Sequence, residues 1–190
     1  MSEFDKVIGY EDAKMELKRF CDVLRNPEKY TKLGVTMPSG ILLCGEPGLG
    51  KTLMARCFIA ESGCRVFTLR KEKPNGDFVN QIKETFEKAK TDSPSIVFLD
   101  DMDKFANEDD MHRDAEEYVT VQSCIDACKG HGIFTLATVN DKHCLPDSLL
   151  RAGRFDKVIE LNPHSFFWKR RTEWLPQKWI ACIIKPKRYL

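Results

Sequence analysis

No stretch of this 190-residue chain approaches the roughly 20 consecutive apolar residues needed to cross a bilayer. The opening residues, Met-Ser-Glu-Phe-Asp-Lys, lack the apolar core of a secretory leader. Both absences predict a cytosolic protein. No paired C-x-x-C motif occurs, and nothing marks an oxidising compartment. The eight cysteines are therefore read as free thiols rather than a disulfide framework. Cys124, Cys128, His131, His143 and Cys144 could be imagined as a zinc site. Cys124 and Cys128 are one helical turn apart, however, and buried free cysteine is the reading adopted. There is no internal repeat and no Asn-Lys-x-Asp signature for guanine. What remains is 42% hydrophobic and 31% charged, a globular composition with enough chain for one domain of ordinary size.

The charge is unevenly spread. Residues 1–165 hold 23 Lys+Arg against 28 Asp+Glu, whereas residues 166–190 hold seven against one. All three tryptophans, Trp168, Trp174 and Trp179, lie in that last segment. It is compositionally a different object from the body.

The most specific signal is Gly45-Glu46-Pro47-Gly48-Leu49-Gly50-Lys51-Thr52, a complete G-x-x-x-x-G-K-[ST] phosphate-binding loop. Its glycines let backbone N–H groups turn inward around phosphates. Lys51 offers a cation to the β- and γ-phosphates, and the Thr52 hydroxyl is a ligand for Mg²⁺. The apolar run 40–44 before it suits a buried parallel strand. The residues from Leu53 onward suit a helix, whose N-terminus adds its positive dipole end.

Before the loop, residues 11–25 form an amphipathic helix with Met15, Leu17, Phe20, Val23 and Leu24 on roughly one face, and a short helical piece starts at Asn26-Pro27. Strands are expected at 65–69, at 95–101 ending in Asp100-Asp101, at 133–139 ending before Asn140, and at 158–161. Helices are expected at 78–90 and 116–128. Alternating strands and helices imply an α/β fold: a parallel sheet flanked by helices, the P-loop NTPase arrangement. Ligands of such sheets sit beyond the carboxyl ends of the strands. There, Asp100 can hold Mg²⁺ opposite Thr52, and Asp101 can orient an attacking water. Asn140 can bond that water or a γ-phosphate oxygen. Arg151 and Arg154, which share a face if helical, suit charge developing on a transferring phosphoryl group, including one in a neighbouring subunit.

Taken together these residues resemble the AAA+ ATPases, and most closely the ATPase module of FtsH-type membrane proteases. Residues 4–14 look like that family's entry motif, whose backbone lies near the adenine, which places Ile8 and Gly9 beside the base and Leu53 with the phosphate loop. Ile96 to Asp103 occupies the Walker B position, Asn140 the sensor 1 position, and Leu145 to Asp156 the second region of homology. The resemblance covers about residues 4–162. It implies ATP and Mg²⁺ as ligands, Arg151 and Arg154 as trans-acting fingers, and a ring, usually a hexamer, acting on a protein substrate.

Four departures qualify that implication. Walker B carries Asp-Asp where the family has Asp-Glu, which predicts slow hydrolysis. The pore-loop position, Pro74-Asn75-Gly76, has no aromatic residue. No membrane segment or H-E-x-x-H peptidase motif is present, so no peptidase activity is expected. Finally, residues 163–190 are too few for the family's helical lid. The domain expectation is therefore 1–162 for the nucleotide-binding unit and 163–190 for a basic aromatic tail. That tail is a membrane-surface or nucleic-acid segment, a small packing element, or the product of a shifted reading frame. Nucleic acid is not otherwise expected as a partner. The rival reading of the whole is a nucleotide-binding interaction module, or a truncated remnant, with little or no hydrolysis.

Overall fold

The computed structural model describes residues 2–71, 77–106 and 115–162. Within them the helices are α1 (Glu11–Arg25), α2 (Pro27–Lys32), α3 (Lys51–Ser62), α4 (Phe78–Thr91) and α5 (Glu116–Ala127). The strands are β1 (Gly40–Cys44), β2 (Arg65–Leu69), β3 (Ser95–Leu99), β4 (Ile133–Val139) and β5 (Lys157–Glu160). All strand pairs are parallel, in the order β2-β3-β4-β1-β5. The expected α/β architecture is the observed one.

The three inner strands are buried along their whole length because both faces of the sheet are covered. Side chains alternate between the faces. Ile41, Leu43, Ile96, Phe98 and Leu136 pack with Leu17, Met54 and Phe58 of α1 and α3. Leu42, Val97, Leu99, Ala137 and Val139 pack with Phe78, Ile82, Phe86, Val121 and Ile125 of α4 and α5. The edge strand β2 shows what one exposed side does to the pattern: of its five residues only Leu69 is buried. The Phe4 ring is fully buried, and Glu61 of α3 accepts bonds from Ser2 Oγ and Glu3 N. These contacts tie the N-terminal segment to the helix that follows the phosphate loop.

Three local expectations are corrected. Met15 is 51% exposed, and the packed face of α1 is instead Ala13, Leu17 and Cys21, with Phe20 and Leu24 at its border. The expectation took Met15 for its apolar character, although the i, i+4, i+8 series through Ala13 is the one that meets the core. Strand β3 ends at Leu99, so Asp100 and Asp101 stand beyond it rather than in it. Residues 151–154 form turns rather than a helix, which removes the argument that Arg151 and Arg154 share a helical face. The pore-loop position 74–76 and the segment 163–190 lie outside the described residues.

Candidate functional site

The sheet register assembles the site. Leu69 of β2 lies opposite Leu99 of β3, and Leu99 lies opposite Ala137 of β4. The next residue along each strand is Arg70, Asp100 and Thr138. One further register step brings Cys44 of β1 opposite Val139, and Gly45 and Asn140 follow them. Five polar or turn-forming positions thus line up at the carboxyl ends of four adjacent strands.

The phosphate loop leaves β1 at Gly45, whose N–H donates to Val139 O at 3.3 Å. A Cβ built at Gly45 would lie 2.5 Å from the backbone oxygen of Leu161, so no larger residue fits without moving the chain. Gly45→Ala is expected to destabilise the fold by about 1–3 kcal/mol, as overpacking does. Thermal unfolding measures it, and an unchanged midpoint would contradict the close approach. At the other end of the loop Gly50 has φ +83° and serves as the N-cap of α3. That left-handed turn aims the first N–H groups of the helix back over the loop.

Lys51 is 6% exposed. Its ammonium donates to Gly45 O at 2.7 Å, Glu46 O at 3.0 Å and Asn140 Oδ1 at 2.9 Å. Burial lowers its pKa from the ordinary lysine value, while the carboxylates of Asp103, Asp101 and Asp100 oppose that shift. Thr52 Oγ1 donates to Asp100 Oδ1 at 3.0 Å, and Thr138 Oγ1 donates to the same oxygen at 2.8 Å. Thr138 in turn accepts from Asp101 N at 2.9 Å. One threonine hydroxyl therefore fixes both the carboxylate and the backbone that follows it.

Asp101 sits in the left-handed region, φ 55°, which is uncommon for a residue with a side chain. Its Oδ2 meets Arg70 at 3.2 Å and Lys104 at 2.8 Å. Arg70 also reaches Asp100 Oδ2 at 3.5 Å. The acid expected to orient water is thus held by two cations.

Arg154 is turned inward. Its guanidinium bonds both carboxylate oxygens of Asp126 on α5, at 3.3 and 2.7 Å, as well as Gln122 Oε1 and Ser148 O. The hydrogen bonds from Arg154 pull the Asp126 carboxyl down to about 2. The Arg151 side chain is exposed and makes no hydrogen bond or ion pair among the described residues, its backbone carbonyl accepting from Arg154 N at 3.2 Å. Ile8 is 62% exposed, Gly9 has φ 78°, and Leu53 is 46% exposed. Glu46, Pro47 and Gly48 form the exposed rim of the loop, and Leu49 is partly buried against the core.

Arg70, Thr138 and Asp103 carry no role that the sequence alone discloses. Arg70 and Thr138 needed the register of three strands. Asp103 lay inside the Walker B stretch but carried no distinguishing neighbour in sequence. Among the described residues no group of three or more His, Cys, Asp or Glu converges to hold a metal ion. Thr52 and Asp100 make a two-oxygen set, which suits Mg²⁺ because that ion keeps waters and binds phosphate oxygens besides one or two protein ligands.

Residues 41–163 match the family described as ATPase family associated with various cellular activities (AAA). The chain belongs to the AAA ATPase family. It is 37% identical over 172 aligned residues to the ATP-dependent zinc metalloprotease FtsH of Leptotrichia buccalis, covering 84% of this chain and 22% of that protein. The FtsH of Thermobaculum terrenum is 35% identical over 174 residues, covering 82% of this chain and 26% of the relative. The chloroplastic ATP-dependent zinc metalloprotease FTSH 5 of Arabidopsis thaliana is 35% identical over 173 residues, covering 84% and 24%. The chain thus spans about a quarter of the length of the curated relatives it matches. It is an AAA ATPase domain similar to the ATPase module of FtsH. Among the described residues of this AAA domain, no helix is long and apolar enough to cross a membrane.

Proposed function

We propose that this AAA domain binds Mg·ATP in the turn 45–52 and hydrolyses it at an interface between subunits of a ring. The observation that carries the reading is the linkage of Lys51 to Asn140 and of Thr52 to Asp100 at the carboxyl ends of adjacent strands. These four side chains come from three stretches of sequence far apart, 51–52, 100 and 140, and meet where an α/β sheet takes its ligands.

Gly45 to Thr52 and the α3 N-terminus hold the phosphates, with Lys51 as the mobile cation that exchanges its carbonyl partners for phosphate oxygens. Thr52 and Asp100 hold Mg²⁺. A bound magnesium ion neutralises phosphate charge and orients the phosphate oxygens. Asp101 orients the attacking water, and Asn140 fixes the polar end of the site. Arg151, exposed and unengaged, is the residue offered to a neighbouring subunit's site. Arg154 supports it from the same turn. Ile8 and Gly9 lie along the base, with Leu53 beside the phosphate turn. On this reading residues 1–162 are the nucleotide-binding unit, 163–190 a separate tail, and the substrate a protein.

A second reading, a nucleotide-binding module with little turnover, draws support from the two cations on Asp101. Titration of Mg·ATP into wild type and Lys51→Ala tests the binding step common to both. Binding is expected in wild type and at least tenfold weaker in the variant, on the scale of a lost charged hydrogen bond. Equal binding by both would remove the phosphate-site assignment.

A further inference from the structure

The structure assigns Asp103 as a positioning residue, whose carboxylate sets the orientation of the Asn140 amide and, through it, the place of the Lys51 ammonium. The inference rests on the ATPase reading for its kinetic consequence but not for its geometry. Asn140 Nδ2 donates to Asp103 Oδ2 at 2.6 Å, while Asn140 Oδ1 accepts from Lys51 at 2.9 Å. Reversing the amide would set its NH₂ against an ammonium and its oxygen against a carboxylate. Both contacts therefore enforce one orientation. Sequence alone pairs Asn140 with the attacking water or a γ-phosphate oxygen. Here one N–H of its amide is committed to Asp103 and its oxygen accepts from Lys51.

Asp103 is itself rigidly placed. It lies in the short 3-10 helix Met102–Lys104, between the fully buried side chains of Met102 and Phe105. The Tyr118 hydroxyl of α5 donates to Met102 O at 3.3 Å. Asp103 Oδ1 is buried without a hydrogen-bond partner among the described residues. An unpaired buried carboxylate oxygen is destabilising, so the fold alone does not explain an acid at this position. A chain of three groups, Asp103, Asn140 and Lys51, thus runs from a packed anchor to the phosphate turn.

The test compares wild type, D103N, D103L, N140A and D103L/N140A in the full chain. Two readouts are used: kcat and KM for Mg·ATP, and the side-chain amide resonances of Asn140 in nucleotide-free protein. D103N retains an oxygen that accepts from Asn140. It is expected to keep kcat within about threefold and to preserve the resolved Asn140 signals. D103L is expected to lose roughly tenfold or more in kcat, with KM changed less than about threefold, and to shift those signals toward solvent-exposed amide values. The double variant is expected to be no more than about twofold slower than N140A, because both changes cut one chain. If D103L does not fold, as judged by thermal unfolding, D103A replaces it with the same expectations. Failure of D103N to rescue, multiplicative losses in the double variant, or unchanged Asn140 signals in D103L would overturn the assignment. A wild type without Lys51-dependent turnover would instead defeat the ATPase reading, and the resonance comparison would still decide the role of Asp103.

Discussion

Arg151→Ala is expected to lower ATP turnover per subunit by roughly a thousandfold, the scale on which an arginine supplied to a transferring phosphoryl group acts. Binding of Mg·ATP to the variant should stay close to wild type, because Arg151 serves a neighbour's site and not its own. Arg154→Ala should behave differently. Its guanidinium closes a network with Asp126, Gln122 and the Ser148 carbonyl inside its own subunit. Removing it strands that carbonyl and a partly exposed carboxylate, a loss on the order of 1–2 kcal/mol after allowing for solvent screening. The turn that carries Arg151 loosens with it. Arg154→Ala should therefore lower the unfolding temperature as well as the rate, whereas Arg151→Ala should lower the rate alone. Full turnover in Arg151→Ala would sink the finger assignment. Lost turnover with an unchanged unfolding temperature in Arg154→Ala would show that Arg154, too, acts across the interface.

Asp101→Glu is expected to raise kcat by about tenfold, and Asp101→Asn to reduce it to near background. A carboxylate one methylene short of its place misses the water by about an ångström, and a displacement of that size costs on the order of a hundredfold. Only part of this is recovered, because Arg70 and Lys104 still draw the carboxylate toward themselves. Steady-state rates in assembled protein measure the effect. An unchanged or lower rate for Asp101→Glu would mean that the shorter acid is already correctly placed, or that Asp101 does not orient water.

What the sequence disclosed and what it withheld divide along a physical line. The phosphate loop, the buried runs of β1 and β4 and the helix at 78–90 are local signals. Each is set by periodicity or by turn chemistry within a dozen residues, and each appears where expected. Strand β3 stops two residues short of the expected end, because the chain turns at Asp100 and Asp101 and Asp101 is left-handed. Thr138 looked like one more residue of an apolar strand. Only the pairing of Leu99 with Ala137 places its hydroxyl on Asp100. Arg70 follows the strand 65–69 without a signal of its own, and it is the pairing of Leu69 with Leu99 that carries it to the acids. Spacing groups Arg154 with Arg151, yet its partner Asp126 lies 28 residues away on α5. Contacts of that kind are decided by how helices pack on the sheet, which no short window of sequence contains.

The central claim is a composite ATPase site, completed by a second subunit. It is tested most directly by measuring steady-state ATP hydrolysis per subunit against protein concentration, with light scattering in Mg·ATP on the same samples and Lys51→Ala as the control. The account predicts Lys51-dependent turnover that rises steeply as a ring forms. A concentration-independent rate from a monomer, or binding of ATP with no turnover at any concentration, would contradict it and leave the nucleotide-binding module as the better description.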